Sequence, residues 1–288
     1  MQILNYLLYY LLLVPLSLLP MRLLYLISDF FFLLIWYVIP YRKKIVIQNL
    51  RNSFPEKSSD EINVIAKKFY RHFCDLVLES VKAFRISKTE LTKRLAIRNP
   101  ELLKSYYDRN MNLILVTSHY GNWEWGSMEF SNHSKHLTVG IFLPLKNKFW
   151  DRKIRQSRSR FGTHLISVRE VARFFQEKHE LFMCAFIGDQ SPSNPRTSCW
   201  VHFLNQETAF LTGAEKMARE FNLPVLYGHV RRIKRGYYEL GYTIISENSA
   251  STSEGEITAT FAHTAEKFIR EEPAYWLWTH RRWKHKRK

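Results

Sequence analysis

The residues best placed to do chemistry lie in one stretch, in which Leu113–Thr117 is followed by Ser118, His119, Tyr120, Gly121, Asn122, Trp123 and Glu124. The apolar run predicts a strand, His119 falls in the turn after it, Gly121-Asn122 bends the chain, and Glu124 enters the first turn of a helix. Open α/β sheets bind ligands at the carboxyl ends of their strands, where His119 would stand. Within one helix, positions five apart diverge, but a histidine still in the turn lets the Glu124 carboxylate reach back to the imidazole. Such a pair would orient the ring through Nδ1, fix its tautomer and leave Nε2 as a general base. Ser118 offers a hydroxyl, but G-x-S-x-G is absent and no ordered third member follows. A base serving an external hydroxyl is the simpler reading.

Spacing alone does not select His119. With 11 His and 26 acidic residues, a His followed five positions on by a carboxylate is expected about once by chance. The chain has two instances, His119/Glu124 and His202/Glu207. His202 lies in Trp200–Leu204 without a glycine turn or a strand-to-helix switch, so it reads as structural.

The elements needed to position His119 are those of an α/β domain. Residues 41–97 read as helical, with Ile62, Ile65, Phe69, Phe73, Leu76 and Val77 at 3–4 spacing between Asp60 and Lys82. Beyond about residue 100, apolar runs at Leu113–Thr117, Leu137–Leu143, Leu181–Ile187 and Pro224–Val230 alternate with helix-like stretches near 122–131, 146–160, 168–178 and 212–222. This alternation predicts a mixed, largely parallel sheet flanked by helices. A hairpin over Arg231–Ser246 turning at Arg235-Gly236 would add an antiparallel edge, and a helix over about 255–271 precedes Pro273.

Charge divides the chain in two. The net charge is +17, yet residues 1–39 hold only Arg22 and Asp29. Gln2–Met21 carries no charge and matches the ~30 Å of bilayer hydrocarbon at helical rise. A second apolar run, Leu23–Ile39, follows. No basic region precedes the first run and no small-residue cleavage site ends it, which disfavours a signal peptide. Pro15, Pro20 and Arg22 argue against one straight helix, so one run spans while the other lies in the interface, or the two form a re-entrant hairpin. Arg42, Lys43 and Lys44 place the following domain in the cytoplasm. The expected organisation is a membrane anchor at 1–40 and a catalytic domain at 41–288. Three widely spaced cysteines, Cys74, Cys184 and Cys199, support neither a disulfide scaffold nor a zinc site.

Two basic clusters stand out, Lys146 to Arg160 and the tail from His280 to Lys288. In the first, Lys148, Arg152 and Arg155 share a face if the segment is helical. Beside an aromatic-rich apolar segment these clusters read as contacts with lipid phosphate or an anionic leaflet. No zinc-finger spacing, basic zipper or aromatic RNP segment points to nucleic acid.

Ser118 to Glu124 resembles the HxxxxD/E motif of membrane-associated acyltransferases, in the form found in the lipid A biosynthesis (lauroyl/myristoyl) late acyltransferase family. The likeness extends along nearly the whole chain. Asn49-Leu50 with Phe54-Pro55-Glu56 is similar to the family's early segment, Arg158 to Gly162 to its arginine motif, Gly188-Asp189-Gln190 to its acidic motif, and Phe203 with Thr212-Gly213 to a later pattern. Tyr275 to Trp283 is similar to its terminal signature. Phe203-Leu204-Asn205 departs from the usual Phe-Phe-Gly, and Phe210 from a common Thr, which bears on acceptor fit.

The resemblance implies a glycerolphosphate-acyltransferase-like fold and transfer of a fatty acyl chain from acyl-ACP or acyl-CoA to a hydroxyl of a lipid A precursor, at the cytoplasmic face of a bacterial inner membrane. His119 and Glu124 would be catalytic. Arg158 and Arg160 would meet an anionic lipid head group, because a guanidinium fork suits phosphate. Asp189 and Gln190, after a strand end, would position the acceptor or brace the turn. An acidic acyl carrier protein suits the basic surface, and neither a metal nor a redox cofactor is needed. A thioesterase or lipid hydrolase using the same dyad, transfer to another amino- or glycolipid, and a membrane-tethered binding module are the alternatives.

Overall fold

A computed structural model describes residues 2–287; Met1 and Lys288, the ends of the two expected segments, lie outside the described residues. Helices α1 (Gln2–Leu18) and α2 (Met21–Val38) are separated at Leu19-Pro20, both in extended conformation. Proline at the second of these positions restrains the residue before it from helical torsions, so the expected break occurs there. Pro15 lies inside α1, just after a π-helical stretch over Leu8–Leu13, a local irregularity of the kind that accompanies a proline within a helix.

Helices α3 (Lys43–Ser53) and α4 (Ser59–Lys82) follow. Ser58 starts α4 with a reciprocal capping box: its hydroxyl accepts from the Glu61 amide, and the Glu61 carboxylate accepts from the Ser58 amide. After α5 (Lys88–Arg94) the chain forms strand β1 (Leu95–Ile97). Residues 41–97 are therefore not helical throughout, and three residues are too few to display a strand period. Next come α6 (Pro100–Asp108), β2 (Leu113–Thr117), α7 (Trp123–His133), β3 (Leu137–Phe142), α8 (Lys148–Arg158), β4 (His164–Ser167), α9 (Val171–Gln176) and β5 (Phe182–Ile187). A separate hairpin, β6 (Cys199–Phe203) and β7 (Gln206–Phe210), leads to α10 (Gly213–Glu220), the long pair β8 (Val225–Lys234) and β9 (Tyr237–Ser246), and α11 (Glu256–Glu271).

The main sheet has seven strands in the order β1-β9-β8-β2-β5-β3-β4. Every pairing is parallel except β8 with β9. The fold is thus α/β with a largely parallel sheet flanked by helices. The antiparallel hairpin turns at Arg235-Gly236 as expected, where Gly236 has φ +73°. Its first arm is the same strand as the Pro224–Val230 run, and β1 rather than β9 forms the edge. Both faces of β2 are covered: Ile114 and Val116 enter one core with Phe261 and Ala262 of α11, while Leu113 and Leu115 enter another with Trp125 and Met128 of α7. Burial on both faces explains why this strand reads as a continuous apolar run.

Helix α2 docks along α4 by one face. Met21, Leu24, Ser28 and Phe32 are buried at helical spacing, while Leu23, Leu26, Phe30, Phe31 and Leu33 remain exposed. Polar contacts accompany the docking: Ser28 donates to Asp75 at 2.7 Å, Tyr25 to Glu79 at 2.7 Å, and Arg235 bridges Asp29 and Asp75. Helix α1 rests on α8 through Tyr6 and Tyr9 against Phe149, with Trp150 Nε1 donating to Asn5 at 3.0 Å.

Candidate active site

Strands β2 and β5 are parallel neighbours with Thr117 opposite Ile187, and the Gly188 amide continues the ladder to the Thr117 carbonyl at 3.0 Å. Two residues beyond each strand end, His119 and Asp189 therefore stand side by side at the carboxyl edge of the sheet. His119 Nδ1 lies 2.7 Å from Asp189 Oδ1, and the His119 amide donates to Asp189 Oδ2 at 2.8 Å. Trp276 Nε1 donates to the same oxygen at 2.8 Å. Gln190 Nε2 lies 3.0 Å from His119 Nε2, while the Asp189 carboxylate, which only accepts, places a ring proton on Nδ1.

Asp189 is almost fully buried. Burial pushes its carboxyl up, but the neighbouring His119 and the hydrogen bonds from His119 and Trp276 outweigh that and hold it below the usual range. A buried, ionised carboxylate on Nδ1 is the arrangement that fixes a tautomer and stabilises an imidazolium once it forms.

The turn carrying His119 is pinned on both sides. Tyr120 pairs with Trp276, the Gly121 amide donates to Tyr275 O at 2.9 Å, and the Leu277 amide donates to His119 O at 3.1 Å. Gly121 has φ +61°, and a Cβ there would fall 1.9 Å from the Val230 carbonyl oxygen, so only glycine fits. Asn122 caps α7 by accepting from the Trp125 amide at 2.9 Å.

Glu124 does not reach the imidazole. Its carboxylate receives a bidentate pair from Arg158, with Nε at 3.1 Å from Oε2 and Nη2 on Oε1. This ion pair borders a small, mostly apolar cavity of about 60 Å³ between α7 and the sheet, lined also by Thr117, Trp123, Phe130, Gly140, Leu165 and Ala185. The Trp123 ring stands 5.0 Å from that of His119, edge to face.

A family model described as bacterial lipid A biosynthesis acyltransferase matches residues 1–285. The chain belongs to that family. It is also 24% identical over 250 residues to the lipid A biosynthesis lauroyltransferase of Escherichia coli (strain K12), covering 84% of this chain and 79% of the relative. The chain is accordingly an acyltransferase of lipid A biosynthesis.

In this lipid A biosynthesis acyltransferase the partner of His119 Nδ1 is Asp189, which corrects the expectation that Glu124 orients the ring. The physical reason is the parallel register: the end of a neighbouring strand lies closer to the turn than the first turn of the helix that follows it. Arg158 enters the site through Glu124. Arg160 does not face the cavity, because its guanidinium donates to the carbonyls of Ala83 and Ile86 at 2.9 Å each and braces the end of α4. His202 lies opposite Glu207 in the β6–β7 hairpin, so the second spacing match is a cross-strand pair. Leu204 and Asn205 form its two-residue turn with φ +50° and +61°.

Trp276, which binds Asp189, had no role in the sequence reading. Arg282 had none either: it is 2% exposed, its guanidinium lies 4.3 Å from the centre of the Phe210 ring, and its nitrogens make no hydrogen bond among the described residues. Both belong to the terminal segment whose aromatic and basic pattern marks it in the sequence without indicating what it touches.

Proposed function

We propose that this acyltransferase moves a fatty acyl chain from a carrier thioester to a hydroxyl of a lipid A precursor, with His119 as general base and Asp189 as the carboxylate that orients it. The observation that carries this reading is the His119–Asp189 pair at the strand ends, with a narrow, mostly apolar cavity of about 60 Å³ nearby. The acceptor hydroxyl would displace the Gln190 amide from His119 Nε2, pass its proton to that nitrogen and attack the thioester carbonyl. A C–O bond forms, the tetrahedral intermediate collapses with C–S cleavage, and the imidazolium returns its proton to the departing thiolate. The Trp123 and Glu124 amides at the start of α7, outside the Asn122 cap on Trp125, and the helix dipole would meet the developing oxyanion.

Glu124 and Arg158 would act together at the cavity mouth. Arg158 spends Nε and Nη2 on Glu124, leaving Nη1 for a substrate phosphate. The thioester carrier is acyl-ACP or acyl-CoA, of which the acidic protein better suits a chain of net charge +17. Residues 1–40 would serve as the membrane anchor and 41–288 as the catalytic domain on the cytoplasmic face of a bacterial inner membrane. The exposed apolar flank of α1 and α2, with Leu11 71% and Leu26 66% exposed, supports contact with lipid. The reaction needs neither a metal nor a redox cofactor.

The test is a reconstituted assay with purified protein in detergent micelles, acyl-ACP or acyl-CoA, and a phosphorylated lipid A precursor, read by mass spectrometry. Gain of one acyl mass by the acceptor, absent with His119→Ala, is expected. Release of free fatty acid at an unchanged rate with and without acceptor would instead establish a thioesterase.

A further inference from the structure

The apolar helix α2 is joined to the catalytic turn by buried polar contacts that neither membrane attachment nor acyl transfer explains. They converge on one face of α4, where His72, Asp75 and Glu79 follow one another at spacings of three and four. Glu79 is fully buried. Its Oε1 accepts from Tyr25 of α2 at 2.7 Å, and its Oε2 accepts from Asn122 Nδ2 at 2.7 Å and Tyr238 at 2.6 Å. The Glu79 main-chain carbonyl takes a further bond from Trp125 Nε1 at 3.0 Å. One carboxylate thus ties α2 to the residue that caps α7, three positions after His119.

A second path runs one turn away. Ser28 of α2 donates to Asp75, Asp75 pairs with Arg232 at 3.2 Å, and Arg232 lies 3.2 Å from His72 Nδ1. His72 Nε2 lies 3.3 Å from the Gly121 carbonyl oxygen. The two paths end on consecutive residues, Gly121 and Asn122, between His119 and Glu124. Val230 packs against one side of Gly121, where an added Cβ would meet its carbonyl oxygen at 1.9 Å, so altered bonding at Asn122 or the Gly121 carbonyl would pass along the turn to the residues on either side.

We propose that Tyr25, Glu79 and Asn122 are positioning residues, through which docking of α2 on α4 sets the geometry of the catalytic turn. The helix that offers its outer flank to lipid would then hold His119 in working order through its inner flank. A buried carboxylate that loses one of three donors must draw on the others or leave a lone pair unmet, and either response moves Asn122. The catalytic part of this inference rests on the acyl-transfer reading; the mechanical part does not.

The deciding experiment uses the full chain in micelles and Tyr25→Phe, which removes one hydroxyl and keeps the ring. Amide hydrogen exchange should rise about tenfold in peptides covering residues 118–126 and stay unchanged in those covering β5. kcat should fall about tenfold, with KM for donor and acceptor within about twofold of wild type. Asn122→Ser keeps a capping oxygen but no longer reaches Glu79, and in that background Tyr25→Phe should change kcat less than about twofold. Glu79→Gln should reproduce the exchange pattern of Tyr25→Phe. Unchanged exchange in 118–126, or the same loss of kcat with and without Asn122→Ser, would overturn the proposal. A wild-type protein that transfers no acyl chain would sink the functional reading, while the exchange result would still decide the coupling.

Discussion

His119 and Asp189 meet because Thr117 and Ile187 are register partners in adjacent parallel strands, so each functional residue lies two positions past the same rung of the ladder. No helix has to bend and no loop has to fold back to bring them together. The sheet delivers a histidine and its carboxylate to one edge, and the terminal segment closes over them through Trp276.

Chain-length preference should respond to Gly140. This residue lines the cavity, and a Cβ there would approach Leu165 Cδ2 at 3.0 Å and Thr163 Cγ2 at 3.3 Å. Gly140→Val would therefore take volume from the cavity rather than from a free surface. Each methylene denied burial forfeits about 0.8 kcal/mol, roughly fourfold in kcat/KM. With donors of graded length, Gly140→Val should favour one two methylenes shorter than wild type prefers by about an order of magnitude. An unaltered length profile would place the acyl chain elsewhere.

Stability should fall as the medium turns mildly acidic. Burial, reinforced by the charge of Arg232, pushes the His72 imidazole down to about 3, against an ordinary value near ~6.5 in an unfolded chain. Burial also takes His229 and His280 down to about 4. Because each folded value lies below the unfolded one, the unfolded chain binds more protons between them. Stability is complete above pH ~6.5 and declines toward pH 3 for His72, by up to about 1.4 kcal/mol per pH unit for that group. The Tm should drop between pH 7 and pH 5, and His72→Asn should flatten part of the slope. A Tm independent of pH over that range would contradict the buried neutral imidazoles.

Arg282 should prove costly to the fold and useful to the reaction. Its buried guanidinium lies against Phe210, and burial lowers its pKa to about 10 in spite of the nearby Asp189 charge. Buried charges can often be exchanged for apolar groups of similar volume without loss of stability. Arg282→Met should leave Tm unchanged or a few degrees higher while lowering kcat about tenfold, since charges kept at such a cost gather at functional sites. A lower Tm with unaffected kcat would make Arg282 an ordinary structural residue.

Much of this architecture can be read from residue pattern. The runs at 113–117, 137–142 and 182–187 are strands within a residue of their expected limits, most plainly at β2, where burial on both faces needs continuous apolar sequence. The short elements are less legible: β1 and β4 have three and four residues, too few for a period to emerge. In the site, His119 is visible from its strand-turn-helix setting. Its partner is not, since β3 and β4 come between β2 and β5 along the chain, and nothing in their spacing says that β5 pairs with β2. Glu124, five residues from His119, is the nearer carboxylate in sequence and is held away by Arg158, whose approach depends on the packing of α8 against α7. Arg160 shows the same limit, two residues from Arg158 and turned toward α4.

The central claim is most directly tested by comparing single-turnover transfer rates of Asp189→Asn and Glu124→Gln at neutral pH, with donor and acceptor saturating. If Asp189 orients and charges the imidazole, Asp189→Asn should slow the acyl-transfer step by about 10³–10⁴-fold. Glu124→Gln, acting through Arg158 and substrate placement, should cost no more than about 10²-fold. The reverse ranking, with Asp189→Asn near wild type and Glu124→Gln almost inactive, would contradict the assignment of Asp189 as the partner of His119.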